Sequence, residues 1–288
     1  MNEFYKNRDW FCFECSKSIF PFMSLCEEDF SICCSKLNDS HNRKGIDIQT
    51  FSEKNIFYEI NKTDDKPGDL DRFDPDKNCI FEDTCEYVTN ISSNRPQQSE
   101  ISIINFNIRS IKENFKHFTD LLSNSNTTFD VITLTETWMD NDSCPDDYTL
   151  TGYHPPIIQN REGRPRGGVL IYLKESFECF NVCKKLCYDD LYNNILTVKA
   201  TKDKKCHYIS VCYRSPSSEN TNFMEKLEKV VCDIKNKNSI ITGDFNYNLL
   251  NLQHHGETEN FYNVMKSNSF RTVITKPTRV TDTSSTLV

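Results

Sequence analysis

From Ile101 onward, short apolar segments rich in branched and aromatic residues recur, and several end in a carboxylate, a carboxamide or a tyrosine. Ile101 to Asn107, Asp130 to Thr135, Gly168 to Leu173 and Ser239 to Thr242 read as strands. Ile195 to Val198 and Tyr208 to Tyr213 read as a hairpin across the charged turn 201–205. Between them lie segments of helical spacing. Ile111 to Leu122 places apolar residues at 111, 115, 118, 121 and 122, and Phe223 to Ile234 places them at 223, 227, 230, 231 and 234. Phe261 to Met265 reads as helix and Arg271 to Thr275 as extended chain. Strands outnumber helices, and several follow one another directly. That order predicts mixed sheets covered by helices, and not a strictly alternating parallel fold.

The first third of the chain differs. Residues 1–35 are rich in cysteine and aromatics, and residues 36–99 are acidic, polar and without apolar periodicity, so they read as an irregular linker. The net charge of −8 resides mostly there: residues 1–99 hold 19 acidic against 12 basic side chains, whereas 100–288 hold 23 against 22. The near-neutral second part can carry a local basic face. No apolar run approaches the roughly 18 residues of a membrane span. Met1 to Trp10 has no apolar core of a signal peptide. The expectation is an intracellular protein, nuclear or cytoplasmic, with no membrane partner and with its 14 cysteines reduced. The Asn-x-Ser/Thr sequences at Asn61, Asn90 and Asn141 then read as chance matches.

Asn105 and Asn107 end the first predicted strand, Glu136 follows the second, Tyr213 ends the hairpin, and Asp244 and Asn246 follow Ser239 to Thr242. Ligand sites in open α/β sheets lie where strands end, because loops converge there on a rigid base. Two carboxylates with carboxamides form an all-oxygen set that suits Mg²⁺. Singly, each signal has a plainer reading: Gly243-Asp244 as a turn, Glu136 as a solvated strand end, Asn107 as a helix cap.

Taken in order, the segments are more specific. Asn-Phe-Asn-Ile-Arg-Ser-Ile at 105–111 resembles the first motif of the endonuclease/exonuclease/phosphatase superfamily. Asp130 to Trp138 resembles its metal-binding glutamate motif, Tyr213 to Ser218 its tyrosine motif, and Gly243-Asp-Phe-Asn246 its Gly-Asp-Phe-Asn motif. Gly152-Tyr153, Arg166 to Tyr172, Lys276 to Thr281 and Ser284 to Leu287 resemble the apurinic/apyrimidinic-type endonuclease domain of non-LTR (LINE- or jockey-like) retrotransposons. The resemblance covers about residues 100–288. It implies a four-layer α/β sandwich of two mixed sheets with helices outside, and Mg²⁺-dependent cleavage of DNA, Mn²⁺ being the alternative ion. In that frame Glu136 ligates the metal with help from Asn107, Asp244 orients or deprotonates the attacking water, Asn246 holds a phosphate oxygen and Tyr213 hydrogen-bonds the scissile phosphate. Arg109, Arg164, Arg166 and Arg214 would contact flanking phosphates; the plainer reading is solvated loop charge.

The family pattern goes on past Val288 with an aspartate and a Ser-Asp-His segment. The sequence reading is therefore a C-terminally truncated, monomeric domain whose nicking activity is impaired, or a catalytically dead fragment that only binds nucleic acid or protein. A superfamily member acting on a lipid head group is the remaining alternative. Cys12 and Cys15, in Trp10-Phe-Cys-Phe-Glu-Cys15, look like the tail of a PHD-type zinc finger. Zinc needs four ligands and upstream pairs are lacking, so a remnant without zinc is expected. Cys179, Cys183 and Cys187 recur every four residues; they would hold a metal only on a helix and otherwise read as reduced thiols.

Overall fold

The structure is a computed structural model that describes residues 57–59, 101–124, 128–140, 142–161, 166–272, 274, 279–280 and 285–286. The expectations for Cys12, Cys15, Asn61, Asn90, Asn141 and Arg164, and for most of the 1–35 and 36–99 segments, fall outside these residues.

Strand β1 (Phe57–Glu59) precedes the main body, which begins with β2 (Ile103–Asn107), α1 (Ile111–Asn124) and β3 (Val131–Thr135). It continues through β4 (Ile157–Gln159), β5 (Val169–Leu173), β6 (Cys179–Val182) and β7 (Tyr188–Asp189). The long hairpin β8 (Asn193–Lys202) and β9 (Lys205–Arg214) leads into α2 (Asn220–Ile234), β10 (Asn238–Asp244), α3 (Gly256–Ser267) and β11 (Phe270–Arg271). A two-stranded pair, β12 (Arg279–Val280) and β13 (Ser285–Thr286), follows.

Two mixed sheets result. One has the order β2-β3-β5-β4, the other β11-β1-β10-β9-β8-β6 with β7 also on β8. Each contains one parallel pair, β2 with β3 and β9 with β10, and its other pairings are antiparallel. Alternation along each strand explains the layering. In the first sheet Ile103, Val131, Val169 and Ile171 join the core shared with the second sheet, while Ile104, Phe106, Ile132 and Leu134 face α1 through Ile111, Phe118 and Leu121. Phe223, Leu227, Val230, Val231 and Ile234 of α2 and Phe261 and Met265 of α3 complete the shared core. This is the expected four-layer α/β sandwich.

Helix α1 runs two residues beyond its predicted end, and α2 and α3 begin before theirs. Three-residue β4 and two-residue β7 carry too few side chains to display a period. Phe57–Glu59, inside the stretch expected to be irregular, pairs antiparallel with both β10 and β11. Cys179 lies on β6, and Cys183 and Cys187 flank a single 3₁₀ turn, so the four-residue spacing is not that of one helix. Among the described residues the cysteines are free thiols and no helix is long and apolar enough to cross a membrane.

Candidate active site

The parallel pairs place the site. In the first sheet Asn107 lies beside Thr135, one residue before Glu136; in the second, Tyr213 lies beside Asp244. Both pairs end at the same rim, and side chains from the two sheets meet there. Asn107 Nδ2 donates to Glu136 Oε1 at 2.7 Å and to Asp244 Oδ2 at 3.2 Å. One carboxamide thus bridges two carboxylates that are far apart in sequence. Asn107 and Asp244 are buried, 5% and 4% exposed, so solvent does little to weaken these contacts.

The backbone that holds this geometry is unusual. Arg109, Ser110, Glu136, Trp138 and Asn246 all have positive φ, between 43° and 81°, although none is glycine. Left-handed backbone costs a non-glycine residue of order 1 kcal/mol or more, and such residues concentrate at functional sites. Here the surroundings enforce it. Ile108, Ser110 and Ile111 donate their N–H groups to the carbonyls of Thr135, Glu136 and Thr137, and Asn114 Nδ2 ties the carbonyls of Ile108 and Arg109. Ser110 Oγ accepts from Glu113 N–H in the manner of an N-cap on α1. The turn that ends β2 and the turn that ends β3 are therefore one hydrogen-bonded unit.

Gly243 has φ +133°, and a Cβ there would overlap the Cys212 carbonyl and lie 2.7 Å from Cys212 N. Only glycine lets β10 approach β9 this closely just before Asp244. Beyond it, Asn246 N–H donates to Asp244 Oδ1 at 3.2 Å, and Asn246 Nδ2 donates to the Arg214 carbonyl at 2.7 Å.

Tyr213 is buried against the two carboxylates. Burial first, then the charges of Glu136 and Asp244, push its phenol well above the ordinary tyrosine range, while the Arg161 guanidinium pulls it back. At neutral pH the hydroxyl keeps its proton and is a donor.

The three numbered arginines that the structure describes differ in placement. Arg166 is exposed, with its guanidinium carbon 5.1 Å from the centre of the Trp138 ring. Arg109 lies half-buried in the turn after β2. Arg214 is turned inward at 4% exposure: Nε and Nη2 donate to the carbonyls of Phe245 and Asn246 at 2.8 Å, and its guanidinium carbon stands 4.0 Å over the Tyr247 ring. That geometry fixes the loop that presents Asp244 and Asn246. Two further residues were not singled out as site residues from sequence. Trp138 Nε1 donates to Glu136 Oε2 at 3.2 Å, so both oxygens of that carboxylate are oriented. Arg161 stands with its guanidinium carbon 5.0 Å over the Tyr213 ring. Trp138 closes the glutamate motif and Arg161 lies six residues before Gly167-Gly168, but neither has a periodic or spacing signal that sequence alone would reveal.

The set fits a hard divalent cation. Asn107 Oδ1 is buried with no hydrogen-bond partner, although its amide nitrogen is doubly used, and an orphaned buried acceptor calls for a ligand. With Glu136 and Asp244 it gives oxygen donors of the kind Mg²⁺ takes from proteins. Among the described residues no three or more His, Cys, Asp or Glu side chains cluster to hold a metal.

Solved structures similar to the chain include the endonuclease domain of TRAS1, a telomere-specific non-LTR retrotransposon (10% identity, 58% of this chain and 71% of that one, TM-score 0.45). They also include the Neisseria 3′ phosphatase NExo bound to product DNA hairpin (15% identity, 58% and 70%, TM-score 0.42) and an AP endonuclease from Archaeoglobus fulgidus (16%, 57% and 70%, TM-score 0.44). No curated protein matches the sequence. The model of the endonuclease/exonuclease/phosphatase family matches residues 104–285, which contain every site residue described above, and the chain belongs to that family.

Proposed function

We propose that the protein is a divalent-cation-dependent phosphodiesterase that nicks DNA, of the kind that serves non-LTR retrotransposons. The observation that carries this reading is the bridge from Asn107 to Glu136 and Asp244, with the Asn107 carbonyl oxygen buried and unpartnered beside them. The retrotransposon assignment rests on the sequence segments at 152–153, 166–172 and 276–281.

Attack on a phosphate diester builds negative charge on its non-bridging oxygens, and donors fixed in advance offset that charge. Asn107 and Glu136 are the side chains that would hold Mg²⁺, which would polarise a phosphoryl oxygen. Tyr213 supplies a neutral hydroxyl donor beside them. Asn246 fixes Asp244 through its backbone N–H, and the second hydrogen of its side-chain amide is the donor for a phosphate oxygen. Asp244 accepts the proton of the attacking water. His207 does not share in this: it lies on β9 six residues before Tyr213, about 20 Å down the strand. Arg166 and Arg109 would meet flanking phosphates.

Nicking of supercoiled plasmid by the purified chain tests the reading. Conversion to open circles in Mg²⁺, abolished by EDTA and by Asp244→Ala, is expected. No nicking by cooperatively folded protein would overturn it and leave a fold that only binds.

A further inference from the structure

Arg161 is held in a slot made for it. Its Nη2 donates to the Tyr192 carbonyl at 2.8 Å, and its guanidinium stands over the Tyr213 ring. On another side lies Gly167, where a Cβ would overlap the Cζ, Nε and Nη2 of Arg161. Gly167 also has φ +99°, a conformation that favours glycine. The guanidinium thus packs between a bare backbone and an aromatic face, a geometry that a planar cation fills and an ammonium does not.

The hold on the Tyr192 carbonyl, with a hydrogen bond to the Tyr213 side chain, uses only part of the five N–H donors. It leaves Arg161 Nε buried without a hydrogen-bond partner. A charged group with an unmet buried donor is costly, and such donors persist where an acceptor arrives. The ring under Arg161 belongs to the tyrosine whose hydroxyl neighbours Glu136 and Asp244. The guanidinium charge acts on that hydroxyl in the sense opposite to the two carboxylates. An anion entering between carboxylates needs such a cation close by, and Arg214, whose guanidinium is committed to the Phe245 and Asn246 carbonyls, is not placed to serve.

We propose that Arg161 is a phosphate-binding residue of this site, its guanidinium receiving a non-bridging oxygen of the diester beside Tyr213. The proposal rests on the phosphodiesterase reading for the identity of the substrate, but not for the anion itself.

The test is binding without turnover. Affinity for a duplex oligonucleotide is measured in EDTA over a range of salt, and affinity for inorganic phosphate separately, for wild type, Arg161→Gln and Arg161→Lys. One lost phosphate contact lowers the slope of log K against log salt by about 0.9. Arg161→Gln is expected to show that decrease and to bind phosphate roughly tenfold or more weakly. Arg161→Lys keeps the charge and is expected to keep the slope, yet to lose phosphate affinity because the planar fork is gone. Wild-type slope and wild-type phosphate affinity in a folded Arg161→Gln variant overturn the assignment, even if its melting temperature has dropped through loss of the Tyr192 contact. If Arg161→Gln does not fold, Arg161→Lys decides alone, and unchanged phosphate affinity there overturns it. Arg161-dependent phosphate binding without duplex binding would retire the nucleic-acid reading and leave the assignment standing.

Discussion

Replacing Asn107 by aspartate tests whether this side chain is the bridge between two carboxylates. The amide nitrogen that donates over 2.7 Å and 3.2 Å would become an oxygen carrying charge. Two like charges about 3 Å apart repel by roughly 5 kcal/mol at an effective dielectric of 20, so two such contacts cost about 11 kcal/mol. The protein has a cheaper course. A carboxyl with an ordinary value near 4 can take up one proton at about pH 7 for roughly 4 kcal/mol, at 1.36 kcal/mol per unit. That bounds the penalty of Asn107→Asp in the absence of cations at about 4 kcal/mol near neutrality, plus about 1 kcal/mol because one O–H replaces two N–H donors. For a domain of this size the melting temperature should fall by roughly 10 to 15 °C. The sign of the pH dependence follows. The folded variant binds a proton that the unfolded chain has lost, so its deficit relative to wild type shrinks as pH falls from about 7 towards 4. Millimolar Mg²⁺ should shrink it as well, since a cation relieves the same repulsion. Thermal unfolding followed by circular dichroism, in EDTA and in Mg²⁺ at several pH values, reads all three. A deficit independent of both pH and cation would refute the placement of Asn107 between Glu136 and Asp244.

Gly243→Ala forces a Cβ against the Cys212 backbone at φ +133° and should cost roughly 3 kcal/mol; a urea midpoint equal to wild type would contradict the close approach of β9 and β10. His207 is buried, and that burial, with Lys205 and Lys202 adding to it, lowers its pKa from 6.5 to about 4. Between those values the unfolded chain binds a proton that the folded one refuses, so stability is full above about pH 6.5 and falls by up to about 3 kcal/mol on acidification to about pH 4. His207→Gln should flatten that part of the stability curve, and an unchanged slope would show that His207 is not its source.

The sheets and the rim of the site were legible because they rest on two signals that a one-dimensional sequence carries well. Branched residues in short runs mark buried strands, and the polar residue after each run marks the end at which loops converge. Asn107, Glu136, Tyr213 and Asp244, which the structure brings to one rim, were picked out that way, although they come from four separate stretches of chain. Within the family resemblance Arg214 reads as a contact for flanking phosphates, the plainer reading being solvated loop charge. Its true surroundings, the Phe245 and Asn246 carbonyls and the Tyr247 ring, lie about thirty residues onward across a parallel pair, where no local pattern reaches. Arg161 was passed over for the converse reason. Its distinguishing feature is an empty space, the missing side chain of Gly167, and a glycine in a loop announces only a turn. The strained turns at Glu136 and Asn246 were invisible too, since nothing in the composition of those residues requires positive φ. The surroundings impose it: the Thr137 and Trp138 N–H groups are spent on the Gly168 and Gly167 carbonyls, and Asn246 is clamped at both ends. Strand ends can be read from sequence because they follow from what each segment buries. The angle at which a side chain leaves its strand depends instead on which distant backbone receives its hydrogen bonds, and in this family member that angle is what brings two carboxylates within reach of one amide.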